Sequence, residues 1–220
     1  MKPIVMKRLA LSIAVAALMA GALTACVPLI VGGAVAGGSL MATDRRTSGT
    51  QVEDEGIELR ADSRIRSTLG TRVRVSVTSY NRQVLLTGEV PNLQDKQLVE
   101  QVVSGVENVA SVVNELVVLN SPSLVQRSSD LLVTGRVKAA LLDTRDLQSN
   151  AFKVVTERGT TYLMGRVTQR EADLATEVVR GTPGVQKVVR IFEIISQDEL
   201  MHMLPAPTKP QPAAATSAGG

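Results

Sequence analysis

The sequence predicts an α+β protein made of two copies of one small fold. Each copy runs helix, strand, strand, helix, strand, with the helices over one face of a three-stranded sheet. Three observations carry that expectation. First, SVTSYNRQVLLTGEV (76–90) aligns with KVVTERGTTYLMGRV (153–167), matching Val77 with Val154, Leu86 with Leu163, Gly88 with Gly165 and Val90 with Val167. Second, RIRSTL (64–69) aligns with RVKAAL (136–141), and GVENV (105–109) with GVQKV (184–188). Third, the apolar period alternates between helical and strand spacing in the same order in each copy.

In the first copy Ala61, Ile65, Thr68 and Leu69 recur at helical spacing and predict an amphipathic helix over 57–69. Val73, Val75 and Val77 alternate as in a half-buried strand, YNRQ supplies a turn, and 84–90 is the second strand of the hairpin. Pro91 and Asn92 open a helix in which Leu98, Val102 and Val103 share a face; Gly105 stops it, and the Val-rich stretch 109–119 is the last strand. The second copy places these elements at 129–142, 152–157, 161–167, 171–180 and 185–195, with a first loop, DTRDLQSNA, about five residues longer. Gly88 and Gly165 fall inside strands, where glycine marks a bulge or a close backbone approach. Their shared position favours a structural role for both over a binding one.

The chain opens with a leader. Lys2, Lys7 and Arg8 form a positive front, and 9–23 is apolar or small except for Ser12, too short for an ordinary spanning helix. LTAC then ends in Cys26, the only cysteine of the 220 residues. That motif resembles the lipobox of bacterial lipoproteins, which implies acylation of Cys26 and cleavage after residue 25. One acyl chain holds marginally, whereas the three that the resemblance implies anchor firmly. Val27 is not the Asp that retains lipoproteins in the inner membrane, so the resemblance implies the outer membrane, with the body facing the periplasm. Residues 27–42, VPLIVGGAVAGGSLMA, read either as a flexible tether or as a Gly/Ala face for a partner, and TDRRTSGTQ as an exposed connector.

Charge and composition exclude several functions. The whole chain carries 24 basic and 21 acidic residues, net +3, with a pI near 9.2. Loss of the leader removes three of the basic ones and leaves the mature chain neutral, with no basic patch interleaved with aromatics, so nucleic acid is not an expected partner. The sole histidine, His202, stands near a polar, Pro-rich tail, and no Gly-rich phosphate loop or metal-ligand cluster is present. No catalytic residue, metal or cofactor is therefore expected.

Two such copies behind a lipobox resemble the dual BON-domain lipoproteins of Gram-negative bacteria, with LLTGEV and LMGRV as the most specific elements. The expected organisation is a signal peptide at 1–25, an acylated N-terminus and tether at 26–53, a first BON domain at 54–119, a linker at 120–127, a second BON domain at 128–196 and a disordered Pro/Ala-rich tail at 197–220. Residues 54–118 hold seven basic and nine acidic side chains, whereas 127–195 hold eleven and eight. The second domain is thus the better candidate for anionic headgroups. In its first helix Val133, Val137, Ala140 and Leu141 should face the core, leaving Leu132 and Arg136 where the first copy has Arg60 and Arg64. An exposed leucine there is either ordinary surface or a side chain that enters lipid or a partner.

The resemblance implies a non-catalytic protein that contacts anionic phospholipid through that helix and supports envelope integrity under stress. Leu131, Leu132, Arg136, Lys138, Arg145 and Lys153 are the expected contact residues. It also implies an aromatic residue near Leu132, which this chain, lacking Trp altogether, does not supply. The alternative is a lipid-tethered adaptor for an envelope assembly or division factor. The sequence sets no oligomeric state.

Overall fold

The computed structural model describes residues 44–119 and 124–203. The leader, Cys26, the 27–42 tether and the tail from 204 lie outside the described residues. In chain order the elements are α1 (Ser48–Leu69), β1 (Arg74–Tyr80), β2 (Gln83–Val90), α2 (Leu93–Ser104), β3 (Ser111–Asn114), β4 (Val117–Val118), α3 (Leu124–Asp143), β5 (Phe152–Glu157), β6 (Thr160–Val167), α4 (Gln169–Arg180), β7 (Lys187–Ile194) and α5 (Gln197–Met203), with a 3-10 turn at Ser149–Ala151. The twice-repeated helix, strand, strand, helix, strand order is the one the sequence predicts.

Each domain pairs its hairpin antiparallel and adds the last strand parallel to the second. In the first sheet that strand is broken at Glu115–Leu116, so β3 and β4 both pair β2. Leu116 turns into the core at the break. The helices lie over one face. Ile57, Ala61, Ile65 and Leu69 of α1 meet Val84, Leu86 and Val90 of β2 and Val99 and Val103 of α2. Thr68, which shares the predicted spacing, is exposed. In the second domain Val133, Val137 and Leu141 meet Leu163, Val167, Ala175 and Val179.

Local chemistry sets the boundaries. Thr47 accepts a hydrogen bond from the Thr50 amide at 3.1 Å, which starts α1 nine residues before the predicted position. Asn92 caps α2, and Thr168 with Glu171 forms a full capping box on α4. The α3 helix begins inside the expected linker, and Gln197–Met203, expected to be disordered, forms α5 with Ser196 and Glu199 exchanging bonds at its start. Gly88 sits at φ +119°, and a Cβ there would collide with the Arg74 carbonyl oxygen across the hairpin; one at Gly165 would collide with the Ala151 carbonyl oxygen.

The helix register of the two copies differs from the sequence alignment. Asp54 accepts bonds from the Asn81 and Arg82 amides, both at 2.8 Å, and Asp130 from the Arg158 and Gly159 amides at 2.9 and 3.0 Å. Those amides belong to two-residue turns with positive φ at both positions, the type I′ hairpin geometry. Asp54 thus corresponds to Asp130, a shift of 76, and Ile57, Ala61 and Ile65 correspond to Val133, Val137 and Leu141. The alignment of RIRSTL with RVKAAL is one helical turn out, because a four-residue slip keeps apolar residues on the same face. The alignment of GVENV with GVQKV is also displaced. Gly105 and Gly181 end their helices alike, and Asn108 and Gly184 share positive φ. The loop before β5, 144–151, has eight residues against the four, 70–73, before β1, close to the predicted difference.

Both domains belong to one compact unit, and the sheet faces turned away from the helices pack on each other. Tyr80 and Leu85 of the first domain cluster with Tyr162, Met164 and Ile191 of the second. This explains why β2 is buried on both faces from Val84 to Val90. Polar groups ring the cluster. Arg74 bonds Glu89 at 2.5 Å and also pairs with Glu157, while Asn81 donates to Glu193 at 2.6 Å. Burial pushes the Glu157 carboxyl up, helped by Glu89 and Asp130 and opposed by Arg74.

The expected exposed connector is instead a clasp. Arg45 is only 7% exposed; it donates to both Glu171 oxygens at 2.9 and 2.6 Å and to the Arg166 carbonyl at 2.8 Å. Arg46 bonds Asp44 and Asp54, each at 2.8 Å, and lies 4.3 Å over the Tyr80 ring. Two adjacent arginines therefore join the start of α1 to both domains.

Candidate functional site

On α3 the residues Val133, Val137 and Leu141 face inward, which fixes the opposite pole by the 100° step of the helix. That pole carries Leu132, Gly135, Ala139 and Leu142, with Leu131 at its edge beside Lys138. Leu131, Leu132 and Leu142 are 74%, 64% and 70% exposed. Arg136 and Lys138 flank the stripe on either side, and Arg145 follows in the exposed loop. A Cβ at Gly135 would meet open space, so packing within the chain does not explain a mid-helix glycine that costs about 1 kcal/mol of helix propensity.

The corrected register changes the comparison with α1. Leu131 stands where the first copy has Glu55, Leu132 where it has Gly56, Arg136 where it has Arg60, Lys138 where it has Asp62 and Leu142 where it has Arg66. Arg60 and Arg136 even make equivalent 3.4 Å bonds, to the Glu107 and Pro183 carbonyls. Arg64 has no part in it; it bonds the Gly105 carbonyl at 2.5 Å.

Of the six predicted contact residues, Leu131, Leu132, Arg136 and Lys138 share this helix and Arg145 lies just beyond it. Lys153 stands apart from that face. It projects from β5 toward the first domain, where its ammonium donates to Glu58 at 2.7 Å and to the Ser79 carbonyl at 3.0 Å. Leu142 is the residue that sequence reasoning missed, and the 76-residue register would have found it opposite Arg66.

A groove of about 820 Å³ opens beside the helix. Leu141, Phe152 and Val154 form its floor, Tyr80 and Leu142 its sides, and Arg46, Lys138, Lys153 and Asp44 supply its charges. Lys138 and Leu142 belong to both the groove and the exposed stripe. Among the described residues Lys138 has no carboxylate partner, whereas Arg46 and Lys153 are paired. No group of three or more metal-ligating side chains occurs among the described residues, and no described helix is long and apolar enough to cross a membrane.

Known proteins resemble this chain in sequence. The BON domain family matches residues 54–120 and 129–195. Outer membrane lipoprotein DolP of Haemophilus influenzae is 35% identical over 175 residues, 79% of this chain and 90% of that protein. The 21 kDa hemolysin of Actinobacillus pleuropneumoniae is 32% identical over 154 residues, 69% of this chain and 79% of its own length. Osmotically-inducible protein Y of Escherichia coli is 31% identical over 117 residues, 52% of this chain and 58% of its own length.

Proposed function

Because this chain belongs to the BON family, as an outer-membrane lipoprotein with two such domains, we propose that it works without catalysis, docking its second domain on anionic phospholipid and so supporting outer-membrane integrity. The observation that supports this reading is the bare apolar pole of α3, with Leu131, Leu132 and Leu142 exposed between Arg136 and Lys138. Leucines inserting at a bilayer surface withdraw apolar area from water, worth up to roughly 1.5–3 kcal/mol each when fully buried. Each basic side chain beside them adds about 1 kcal/mol near anionic headgroups. The acylated Cys26 that the lipobox implies keeps the domain near the bilayer, which raises the effective concentration of this second, weaker contact.

One feature favours a rival reading, a lipid-tethered adaptor for an envelope assembly or division factor. Gly135 and Ala139 allow close backbone approach, as a protein helix would need. Vesicle co-flotation of the mature chain carrying Cys26→Ser separates the two. Lipid docking predicts salt-sensitive binding to anionic but not zwitterionic vesicles, weakened about tenfold by Leu132→Asp. Absence of binding to either vesicle transfers the face to a protein partner.

A further inference from the structure

We propose that the first domain captures an extended, basic segment of a protein partner as an added strand on the open edge of β1. This capture is independent of the lipid reading and concerns the other domain. The ladder fixes where each backbone group of β1 points. The Leu86 and Val90 carbonyls of β2 accept from the Glu115 and Leu119 amides, so the even positions of β2 turn toward β3 and β4 and the odd ones toward β1. The register sets Gln83, Leu85 and Thr87 opposite Tyr80, Thr78 and Ser76, which leaves Val75, Val77 and Ser79 directed outward. Ser79 is already served: its amide donates to Glu58 at 2.8 Å and its carbonyl accepts from Lys153 at 3.0 Å. Val75 and Val77 have no such partners among the described residues, so two amides and two carbonyls stand open at strand spacing. Another extended backbone complements that row.

The groove against that edge sets the occupant's side chains. It holds about 510 Å³ between Glu55, Glu58, Leu59 and Asp62 of α1 and Val75, Ser76 and Val77 of β1. Helix and strand run antiparallel, since Asp54 meets the turn at Asn81 and Arg82 while Glu58 meets Ser79. Leu59 is 72% exposed. It stands about 6 Å along the helix from Glu55, close to the ~6.7 Å between alternate residues of a strand. An added strand therefore lays an apolar side chain on Leu59 and basic ones toward Glu55 and Asp62. Glu55 has no cation partner among the described residues, and Asp62 has only an exposed pair with Arg66 of its own helix. The equivalent places on α3 are Leu131, Gly135 and Lys138, so the acidic lining belongs to the first domain alone. A second copy of this chain would bring the same carboxylates to the edge, which favours a different chain.

The test titrates the end-capped peptide Thr-Lys-Thr-Val-Thr-Lys-Thr into the mature chain carrying Cys26→Ser and follows the backbone amides by NMR. The largest shifts are expected at the Val75 and Val77 amides, with binding about tenfold tighter than that of Thr-Glu-Thr-Val-Thr-Glu-Thr. In an antiparallel pair the valine of the peptide turns its own amide to β1. N-methylation of that valine should therefore abolish binding, whereas N-methylation of the threonine beside it, whose amide turns to solvent, should leave it. Glu55→Lys with Asp62→Lys should weaken binding about tenfold without moving the unfolding transition, and Glu177→Lys on α4 should change nothing. Absence of binding, equal affinity for the acidic peptide, tolerance of the methylated valine, shifts confined to the β7 edge, or indifference to reversal of Glu55 and Asp62 would each overturn the proposal.

Discussion

The first helices of the two domains are the same structural part with different surfaces. Inward they agree: Ile57, Ala61 and Ile65 occupy the places of Val133, Val137 and Leu141, and Asp54 and Asp130 hold equivalent hairpin turns. Outward they diverge. Glu55, Asp62 and Arg66 give α1 a charged outer row around the exposed Val52 and Leu59, and Leu131, Lys138 and Leu142 give α3 an apolar stripe with a basic border. Folding constrains the inner row of both, so a difference confined to the outer row reflects what each helix meets. The pairing of the two sheets back to back leaves both helix layers outward, and the clasp at Arg45 fixes them as one body.

The sharpest break of this symmetry is expected at the turn-holding aspartates. Asp54 is 1% exposed and also binds Ser79 Oγ at 2.7 Å and Arg46. Asp54→Ala should lower unfolding stability by about 3–5 kcal/mol, since it leaves the Ser79 hydroxyl and two turn amides unpaired and takes from Arg46 one of its two carboxylates. Asp130→Ala, which leaves two turn amides unpaired and removes one bond of Gln126, should lower it by about 2–3 kcal/mol. Urea denaturation of the two variants measures the difference. The aspartate in the first domain also carries a pH signature. Burial alone pushes the Asp54 carboxyl up, but bonds from Ser79, the Arg82 and Asn81 amides and Arg46 outweigh it and hold the group low. Glu171 is held low in the same manner, by Arg45 and Thr168 against burial. For carboxylates with lowered values the contribution is complete above about pH 5 and vanishes as pH falls through the folded values. Acid unfolding should therefore shift to higher pH in an Arg45→Ala, Arg46→Ala double variant.

Next in size is the clasp itself. Arg45→Ala removes three hydrogen bonds to the second domain and should cost about 2 kcal/mol, with amide exchange rising at the interdomain cluster around Tyr162. A smaller effect tests the outer row directly. Converting α1 to the α3 pattern with Glu55→Leu and Arg66→Leu should leave stability within about 0.5 kcal/mol and give the first domain a vesicle affinity of its own. The smallest is Gly135→Ala, which should raise stability by about 0.5–1 kcal/mol while placing a methyl at the centre of the docking stripe.

How much of this was legible follows from the range of each signal. The element order was readable because period and turn chemistry act over a few residues, as at YNRQ and Gly105. The one-turn slip in the helices was not, since Arg64 and Ile65 match Arg136 and Val137 as well by pattern as Arg60 and Ala61 do. Val84, Leu85 and Leu86 in succession fit a strand buried on both faces, but the sequence predicts a sheet covered on one face only. The clasp had no local signal at all, because Arg45 and Glu171 are 126 residues apart. Lys153 read as a free cation for the same reason: its partner, Glu58, lies in the other copy of the repeat.

The most direct measurement replaces the outer row of α3 with that of α1, as Leu131→Glu, Leu132→Gly and Leu142→Arg together, in the mature chain carrying Cys26→Ser. Partition onto anionic vesicles at low salt is then compared with the unreplaced chain. Surface docking by α3 predicts that binding falls to the level seen on zwitterionic vesicles while the unfolding transition stays cooperative. Undiminished partition onto the anionic vesicles would contradict it and place the membrane contact elsewhere on the molecule.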